Sequence, residues 1–269
     1  MRHCVQVALA ALALFVVTTP EGGAEDVTPV ISIIIDDLGY GLADGRRVIE
    51  LPGAIACSVL PHTPHGSRLA EAAHDAGKEV LLHLPMQPMN NKDPGFGALT
   101  LDTSEQGLRR LLAANLAAVP HVVGINNHMG SLLTRHPGHM DWLMRSLSKD
   151  PRELFFVDSV TSQKSVAMRL AREHSVPTTR RDLFLDRDAD PAAITAQFER
   201  LIELAHARGS AVAIGHPYPE TLDVLERELP KLEERGVRLI AVAEFIRRRT
   251  LENSSWHASL SPSQKALKN

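Results

Sequence analysis

The sequence predicts an α/β fold, a closed or nearly closed barrel in which β-strands alternate with α-helices. Short apolar runs of β-type residues recur along the chain, and segments with apolar residues at helical spacing separate most of them. This alternation indicates parallel strands joined by helical crossovers. Seven or eight such units in about 240 residues match the size of a (β/α) barrel. An open, doubly wound sheet is the alternative. No Gly-x-Gly-x-x-Gly motif follows a predicted strand, so dinucleotide binding has no support.

The apolar runs are predicted to form the strands. In chain order they span residues 31–35, 54–60, 79–84, 122–125, 154–157, 183–185, 211–214 and 237–242. The clearest helical periodicity lies at residues 67–78, 104–119, 192–209 and 220–236. The third helical segment follows Asp190 and Pro191, a cap residue and a proline suited to the first helical position.

Two segments fall outside this alternation. Residues 86–103 form a long loop rich in Pro, Gly and Asn, and loops of this length in compact domains tend to be functional or mobile. Residues 251–269 are mostly polar, and we expect a frayed tail there.

The N-terminus has the pattern of a secretory signal peptide over residues 1–24. Arg2 precedes an apolar stretch at residues 7–17, and small residues follow with a plausible cleavage point after Ala24. An uncleaved anchor is the alternative. In either case we expect the domain to work outside the cytoplasm, in the periplasm, with no stable membrane span after cleavage. Cys57 would then be left without a partner for an intramolecular disulfide, as a small core residue.

Charge and composition argue against two classes of protein, nucleic-acid-binding proteins and carbohydrate-binding modules. The net charge is −3 and no face-sized cluster of Lys and Arg appears, so we expect no nucleic-acid partner. Aromatic residues make up 4% of the chain, which argues against a carbohydrate-binding module built on stacked tryptophans.

Polar residues stand at or just after the predicted C-terminal ends of the strands. In a parallel β/α fold these ends share one rim, where active sites lie. The set consists of Asp36, Asp37, His62, His65, His83, Asn126, Asn127, His128, Asp158, Ser159, Arg180, Arg181, Asp186 and His216. Although scattered along the chain, these residues are expected to converge in space.

The chemistry of this set favours a divalent metal, with zinc as the first choice, because imidazoles and carboxylates are its ligands. Three protein ligands leave a position open for water, whose pKa the metal lowers towards about 7. One of the adjacent aspartates Asp36 and Asp37 can bind the cation, which offsets their mutual repulsion. The other can accept a proton from the water.

Several members of the set also have a structural alternative. An aspartate after a strand often caps the next helix. His83 could be a hydrogen-bonded core histidine, His65 could cap a helix, and His216 could be a turn residue. The metal-site hypothesis therefore depends on the whole set.

Sequence blocks throughout the chain resemble a known family. They are IIIDDLGYG, PHTPHGS, EVLLHLPMQP, GINNHMGSLLT, FFVDSVTS, RRDLFLD and AIGHPYPETL. These blocks resemble the divergent polysaccharide deacetylases, secreted bacterial proteins related to the NodB-type carbohydrate esterases. The resemblance implies a distorted (β/α) barrel of about seven units, with the domain spanning residues 29–250.

The resemblance also implies roles for individual residues. In the related esterases the first Asp of a Thr-Phe-Asp-Asp motif is the base and the second is a metal ligand, which implies Asp36 as base and Asp37 as ligand. His83 matches one of two histidine ligands in an H-[ST]-x-x-H motif. Gln87 stands where the second histidine would be, so the other imidazole must come from elsewhere, with His128 as the first choice and His65 next.

The remaining site predictions concern acid catalysis and substrate contact. His216 matches the histidine of a late Leu-His motif and is expected to act as the catalytic acid. Asp158 would complete the catalytic group by orienting an imidazole. The expected substrate contacts are His65, Asn127 and Arg181.

Three functions are compatible with these features. The first is a metal-dependent deacetylase that cleaves C–N amide bonds of N-acetylated sugars in a cell-envelope or extracellular polysaccharide, with a peptidoglycan-type glycan included. The second is a catalytically inactive envelope protein that binds glycan or a partner protein. The third, a glycoside hydrolase with Asp36 and Asp158 as its carboxylate pair, is disfavoured by the excess of histidines.

Overall fold

The structure, a computed structural model, describes the backbone of residues 28–260 and the side chains of residues 28–251. The predicted signal peptide lies outside the described residues. The strands are β1 (Val30–Leu38), β2 (Ala56–Val59), β3 (Val80–Met86), β4 (Val122–Met129), β5 (Phe155–Asp158), β6 (Thr178–Arg180), β7 (Leu183–Phe184), β8 (Ser210–Gly215) and β9 (Arg238–Leu239). The α-helices are α1 (Leu42–Glu50), α2 (Gly66–Asp75), α3 (Glu105–Ala118), α4 (Pro137–Leu147), α5 (Ala167–Glu173), α6 (Pro191–Arg208), α7 (Pro219–Glu228) and α8 (Val242–Leu260).

The strands form one curled parallel sheet, a barrel that is open on one side. Their order is β6-β5-β4-β3-β2-β1-β8-β7, with β9 beside β1. The opening lies between β6 and β7, and the chain crosses it within two residues. Arg181 N–H bonds the Asp158 carbonyl on one edge, and Asp182 N–H bonds the Val212 carbonyl on the other. The predicted (β/α) barrel is therefore confirmed in its alternation and parallel sheet.

The four isoleucines of β1 are explained by burial on both faces of the sheet. Ile31, Ile33 and Ile35 pack with the outer helices, whereas Ile34 belongs to a second cluster inside the curl of the sheet. A parallel strand covered on both sides reads as a continuous apolar run for this reason. Cys57 is a buried free thiol of the outer cluster, as predicted.

The C-terminal helix differs from the expected polar tail. Helix α8 continues to Leu260, so the described backbone is helical over the first part of the segment in which we expect a frayed tail, and residues 261–269 lie outside the described residues. Phe245 and Ile246 anchor the helix in the inner cluster. At its start the Glu79 carboxylate accepts hydrogen bonds from the backbone N–H of Val242 at 2.6 Å and of Ala243 at 3.1 Å. A helix nucleated by packing and a capping carboxylate extends readily.

Four elements are missing from the sequence prediction, and the last predicted strand is shorter in the structure. Strand β6 and helices α1, α4 and α5 were not among the predicted elements. Strand β6 reads Thr-Thr-Arg at the edge of the sheet and therefore carries no apolar run. The strand predicted over residues 237–242 is limited to Arg238–Leu239 because α8 begins at Val242.

Within the described part of the chain, none of the helices combines the length and the apolar character needed to cross a bilayer.

The Glu79 cap gives a stability prediction. We expect Glu79→Ala to lower the free energy of unfolding by about 0.5–2 kcal/mol, because two N-terminal N–H groups of α8 lose their acceptor. Glu79→Gln retains an acceptor oxygen and should lose less. Urea denaturation would measure both variants, with Glu173→Ala as the control, since that carboxylate is 52% exposed and, among the described residues, pairs only with Arg169. Equal effects of the Ala variants at positions 79 and 173 would contradict the capping role.

Candidate functional site

The two adjacent aspartates lie at a bulge in β1. Ile35 pairs with Cys57 and Leu38 pairs with Val59, so β1 has one residue more than β2 in this interval. Asp37 takes up the difference in the left-handed region, at φ 58°, which strains a non-glycine residue by about 1–3 kcal/mol. Neighbouring residues in a regular strand point to opposite faces. The bulge instead directs both carboxylates to one imidazole.

That imidazole is His83 on β3. Its Nε2 lies 3.6 Å from Asp36 Oδ2 and 3.2 Å from Asp37 Oδ1. His128 on β4 completes the cluster, with Nδ1 at 2.9 Å from Asp37 Oδ1 and 3.2 Å from His83 Nε2. Asp37 Oδ1, His83 Nε2 and His128 Nδ1 therefore form a compact triangle of donor atoms.

The triangle fits a divalent cation better than it fits mutual hydrogen bonds. Asp37 Oδ1 is buried and has no partner with hydrogen-bond geometry, although two imidazole nitrogens lie within 3.2 Å. Zinc ligands about 2.0–2.1 Å from the metal in a tetrahedral arrangement stand about 3.3 Å apart. The observed separations of 2.9–3.2 Å are close to this value. Their donor types also match those of zinc.

Asn126 fixes which nitrogen of His83 faces the site. Its Oδ1 accepts hydrogen bonds from Ser58 Oγ at 2.6 Å and from His83 Nδ1 at 2.9 Å. Its Nδ2 donates to Asp36 Oδ1 at 2.7 Å, which sets the orientation of the amide. His83 Nδ1 must then carry a proton, so in the neutral imidazole the Nε2 lone pair faces Asp37 Oδ1 and is free to bind a cation. This is the support that a ligating histidine needs.

The charges of the cluster are set by burial and by the imidazoles. Asp36 is 2% exposed, and burial raises its pKa above the usual range despite the nearby histidines. Burial also acts to raise the pKa of Asp37, but the close imidazoles of His128 and His83 outweigh it and lower that pKa well below its usual range. The pKa of Asp36 is therefore higher than that of Asp37. Asp37 remains the anion, and Asp36 is the stronger base.

His216, the residue directly after β8, faces the cluster. Its Nδ1 lies 2.9 Å from Asp186 Oδ1, and its Nε2 lies 3.9 Å from Asp37 Oδ2. Thr221 Oγ donates to Asp186 Oδ2 at 2.9 Å and keeps that carboxylate in place. Burial acts to lower the pKa of His216, but the hydrogen bond to Asp186 and the nearby carboxylates raise it to about 9.

One cleft of about 200 Å³ at the rim brings these groups together. Residues on its wall include Asp36, Asp37, His83, His128 and His216. These are the residues for which base, metal-ligand and acid roles were predicted. The structure brings them into contact; the roles themselves stay predictions.

Asp158 does not have the place predicted for it. Its Oδ1 accepts from Val160 N–H at 2.9 Å and its Oδ2 accepts from Ser165 Oγ at 2.7 Å. The carboxylate therefore holds the turn after β5 and orients no imidazole. Asn126 and Asp186 have that task instead, and Asp158 does not form part of the cleft wall, so the carboxylate pair of a glycoside hydrolase gains no support.

Two of the side chains predicted to contact substrate form hydrogen bonds within the protein. Asn127 is 1% exposed; its Nδ2 donates to the Met129 carbonyl at 2.7 Å and its Oδ1 accepts from Ser159 N–H at 2.9 Å. Arg181 donates to the carbonyls of Ser159 and Val160 at 2.7 and 2.9 Å. Both side chains hold the loop after β5. Asn127 also belongs to the wall of the cleft, whereas Arg181 does not, and substrate contact stays a prediction for both.

His65 is also placed differently from the prediction. It precedes α2 without a side-chain capping bond and lies outside the wall of the cleft. His128, not His65, supplies the imidazole near Asp37.

Asn126 and Asp186 are the functional candidates that sequence reasoning missed. Both were recognised as rim residues, but neither was given a role. The period of two along a strand could have identified Asn126, because it shares a face with His128 two residues later. Nothing in the local sequence pairs Asp186 with His216, since that contact depends on the register of β7 and β8.

Comparison with known proteins gives a consistent family. The family model described as divergent polysaccharide deacetylase matches residues 33–246. The chain is 40% identical over 197 residues to the uncharacterized protein YibQ of Escherichia coli (strain K12). The aligned region covers 73% of this chain and 61% of that protein, so this chain spans less than two thirds of its length. It is 35% identical over 217 residues to an uncharacterized protein of Haemophilus influenzae, with 81% of this chain and 76% of that protein covered.

Solved structures show the same fold at low sequence identity. The uncharacterized protein ATU2773 from Agrobacterium tumefaciens C58 superposes with a TM-score of 0.78 at 21% identity, covering 82% of this chain and 91% of that one. A mutant of BA3943, described as a CE4 family pseudoenzyme, gives a TM-score of 0.50 at 15% identity, covering 81% and 67% of the two chains. The family match spans most of the chain, and the chain therefore belongs to the divergent polysaccharide deacetylase family.

Proposed function

We propose that this protein is a metal-dependent hydrolase that removes acetyl groups from N-acetylated sugars of a cell-envelope or extracellular polysaccharide. The observation that carries the proposal is the buried Asp37 Oδ1, which has no hydrogen bond and lies 2.9–3.2 Å from two imidazole nitrogens. Asp37, His83 and His128 would hold the metal, with zinc as the first choice. Family membership supports the deacetylase reaction.

The residues around the triangle suit hydrolysis of an amide. Asp37, His83 and His128 would hold a divalent cation, which would supply a Lewis acid for the amide carbonyl and would make a neighbouring water more acidic. Asp36 accepts the proton of that water as it attacks the carbonyl carbon. Asn126 holds Asp36 Oδ1 and leaves Oδ2 towards the cleft, and the pKa raised by burial makes this carboxylate a stronger base.

His216 is placed to complete the reaction. Its Nδ1 is held by Asp186, so its Nε2 faces the cleft and can donate a proton to the sugar nitrogen as the C–N bond breaks. Acetate and the free amine are the products. The proton taken up by Asp36 and the proton given by His216 balance the addition of one water.

Secretion is part of the proposal. The N-terminal segment has the charge and apolar pattern of a signal peptide, and an envelope or extracellular glycan is accessible only outside the cytoplasm. We therefore assign the protein to the periplasm.

An inactive envelope protein that binds glycan or a partner protein is the second candidate. Burial acts to lower the pKa of His83, but the charges of Asp36 and Asp37 raise it above its usual value. A protonated His83 between the two carboxylates would make a stable ion-pair cluster without a metal. This arrangement would keep the residues of the rim in place but would provide no metal for hydrolysis.

Metal content separates the two candidates. We expect the purified protein to bind one equivalent of divalent metal, measured by elemental analysis after incubation with zinc and gel filtration. Asp37→Ala and His128→Ala should lose it, because each removes one of the three donors. His65→Ala is the matched control and should retain it. A wild-type protein without metal would contradict the proposed hydrolase.

The role of Asp36 as base gives a second prediction. We expect Asp36→Asn to retain the metal and to lower the release of acetate from N-acetylglucosamine oligomers by about 10²–10⁴-fold, the usual contribution of general base catalysis. Unchanged turnover with metal bound would show that another group accepts the proton.

Asn126 gives a third prediction, about metal affinity. Asn126→Ala frees His83 Nδ1, so the imidazole can turn and change tautomer. We expect the zinc dissociation constant to rise about 10–100-fold, as for other supporting contacts of metal ligands, with activity partly recovered at high zinc. Competition with a chromophoric chelator would measure the affinity. Loss of activity at unchanged affinity would instead assign Asn126 to catalysis through Asp36.

A further inference from the structure

Two large aromatic side chains stand exposed beside the candidate site. Tyr40, in the turn after β1, is 66% exposed, and Phe96, in the long loop after β3, is 76% exposed. Both belong to the wall of a groove of about 250 Å³ that also includes Asp37 and His128. The groove is therefore continuous with the catalytic cleft, which shares those two residues. Exposed apolar side chains gathered in a groove mark a binding surface.

The Phe96 ring is held in place by contacts that do not bury it. The His62 imidazole packs against it edge to face, with ring centroids 4.9 Å apart at 82°. His62 Nε2 bonds Asn115 Oδ1 at 2.9 Å, and Asn115 Nδ2 donates to the Gly97 carbonyl at 2.9 Å. A Cβ on Gly97 would lie 2.2 Å from Asn115 Oδ1, so only glycine permits this approach. These contacts orient the Phe96 ring and leave most of it exposed.

The backbone next to Tyr40 is held by the same segment. Gly39 has a φ of +136°, and a Cβ there would lie 2.0 Å from Thr63 Oγ. The Gly39 carbonyl accepts from His65 N–H at 2.9 Å. Residues 61–65, the loop between β2 and α2, therefore support both aromatic walls. This gives a function to the PHTPH segment, which supplies no metal ligand.

The groove has the mixed chemistry of a sugar site. Asp93 belongs to its wall and uses Oδ1 for the N–H of Gly95; Oδ2 has no hydrogen-bond partner among the described residues. A pyranose ring presents an apolar C–H face to an aromatic ring and hydroxyl groups to a carboxylate. The volume of about 250 Å³ lies just below the range of complete ligand pockets, about 300–1,000 Å³, which suits part of a longer ligand.

We propose that Tyr40 and Phe96 form a binding subsite for the sugar unit next to the one that reacts in the proposed polysaccharide substrate. The inference rests on the proposed function, because it takes the reacting sugar to lie in the cleft. His62 is a positioning residue that holds Phe96. Asp93 accepts a hydroxyl hydrogen of the bound sugar.

Binding measured apart from turnover tests this inference. Isothermal titration of the full protein would compare N-acetylglucosamine with its β-1,4-linked tetramer, and acetate release would be followed separately. We expect the tetramer to bind at least about tenfold more tightly than the monosaccharide. Tyr40→Ala and Phe96→Ala should each weaken tetramer binding by about three- to tenfold, the usual effect of losing one aromatic contact, with monosaccharide binding unchanged.

Three further variants separate positioning from general damage. Phe96→Trp should retain tetramer binding, and Met89→Ala should do the same, since Met89 is exposed in the same loop but lies outside the wall of the groove. His62→Ala should weaken tetramer binding as much as Phe96→Ala does. A protein that carries both His62→Ala and Phe96→Ala should bind the tetramer no more weakly than either single variant.

The outcomes distinguish the subsite from the reaction. Tetramer binding with the expected dependence on Tyr40 and Phe96, but without acetate release, would support the subsite and contradict the deacetylase. Equal binding of monosaccharide and tetramer, no binding of either, or full tetramer binding by both alanine variants would overturn the subsite even if acetate were released.

Discussion

The extra residue at the end of β1 is the feature on which the site depends. It places Asp37 in the left-handed region and directs two adjacent carboxylates to the same imidazole, His83. A regular strand would send one of them to the opposite face of the sheet. The strain of about 1–3 kcal/mol and the repulsion between the carboxylates persist because the surrounding sheet is buried on both faces.

Asn126 joins this bulge to the rest of the sheet. It reaches Ser58 on β2, His83 on β3 and Asp36 on β1 through one side-chain amide. A carboxylate at the same position would add a charge beside Asp36, and an aliphatic side chain would leave His83 Nδ1 unsatisfied. The amide therefore sets the tautomer of the ligand and the orientation of the base at the same time.

The sequence predicted the fold and the centre of the site well, because both follow from local patterns. Apolar runs, helical periodicity and polar strand ends predicted a larger rim set that contains Asp36, Asp37, His83, His128 and His216, and the family resemblance singled out these five, which do meet at one rim. Asp158, Asn127 and Arg181 lie at the same rim, but their side chains form hydrogen bonds within the protein, to neighbouring backbone or to Ser165. Side-chain direction and strand register decide that difference, and neither can be read from one sequence.

X-ray absorption at the metal edge of the zinc-loaded protein tests the central claim most directly. The claim is that the bulge in β1 creates a three-donor site from one carboxylate and two imidazoles. We expect a first shell of nitrogen and oxygen at about 2.0–2.2 Å with the outer-shell scattering of two imidazoles. A spectrum with no imidazole scattering would contradict the claim, because the metal would then bind away from His83 and His128.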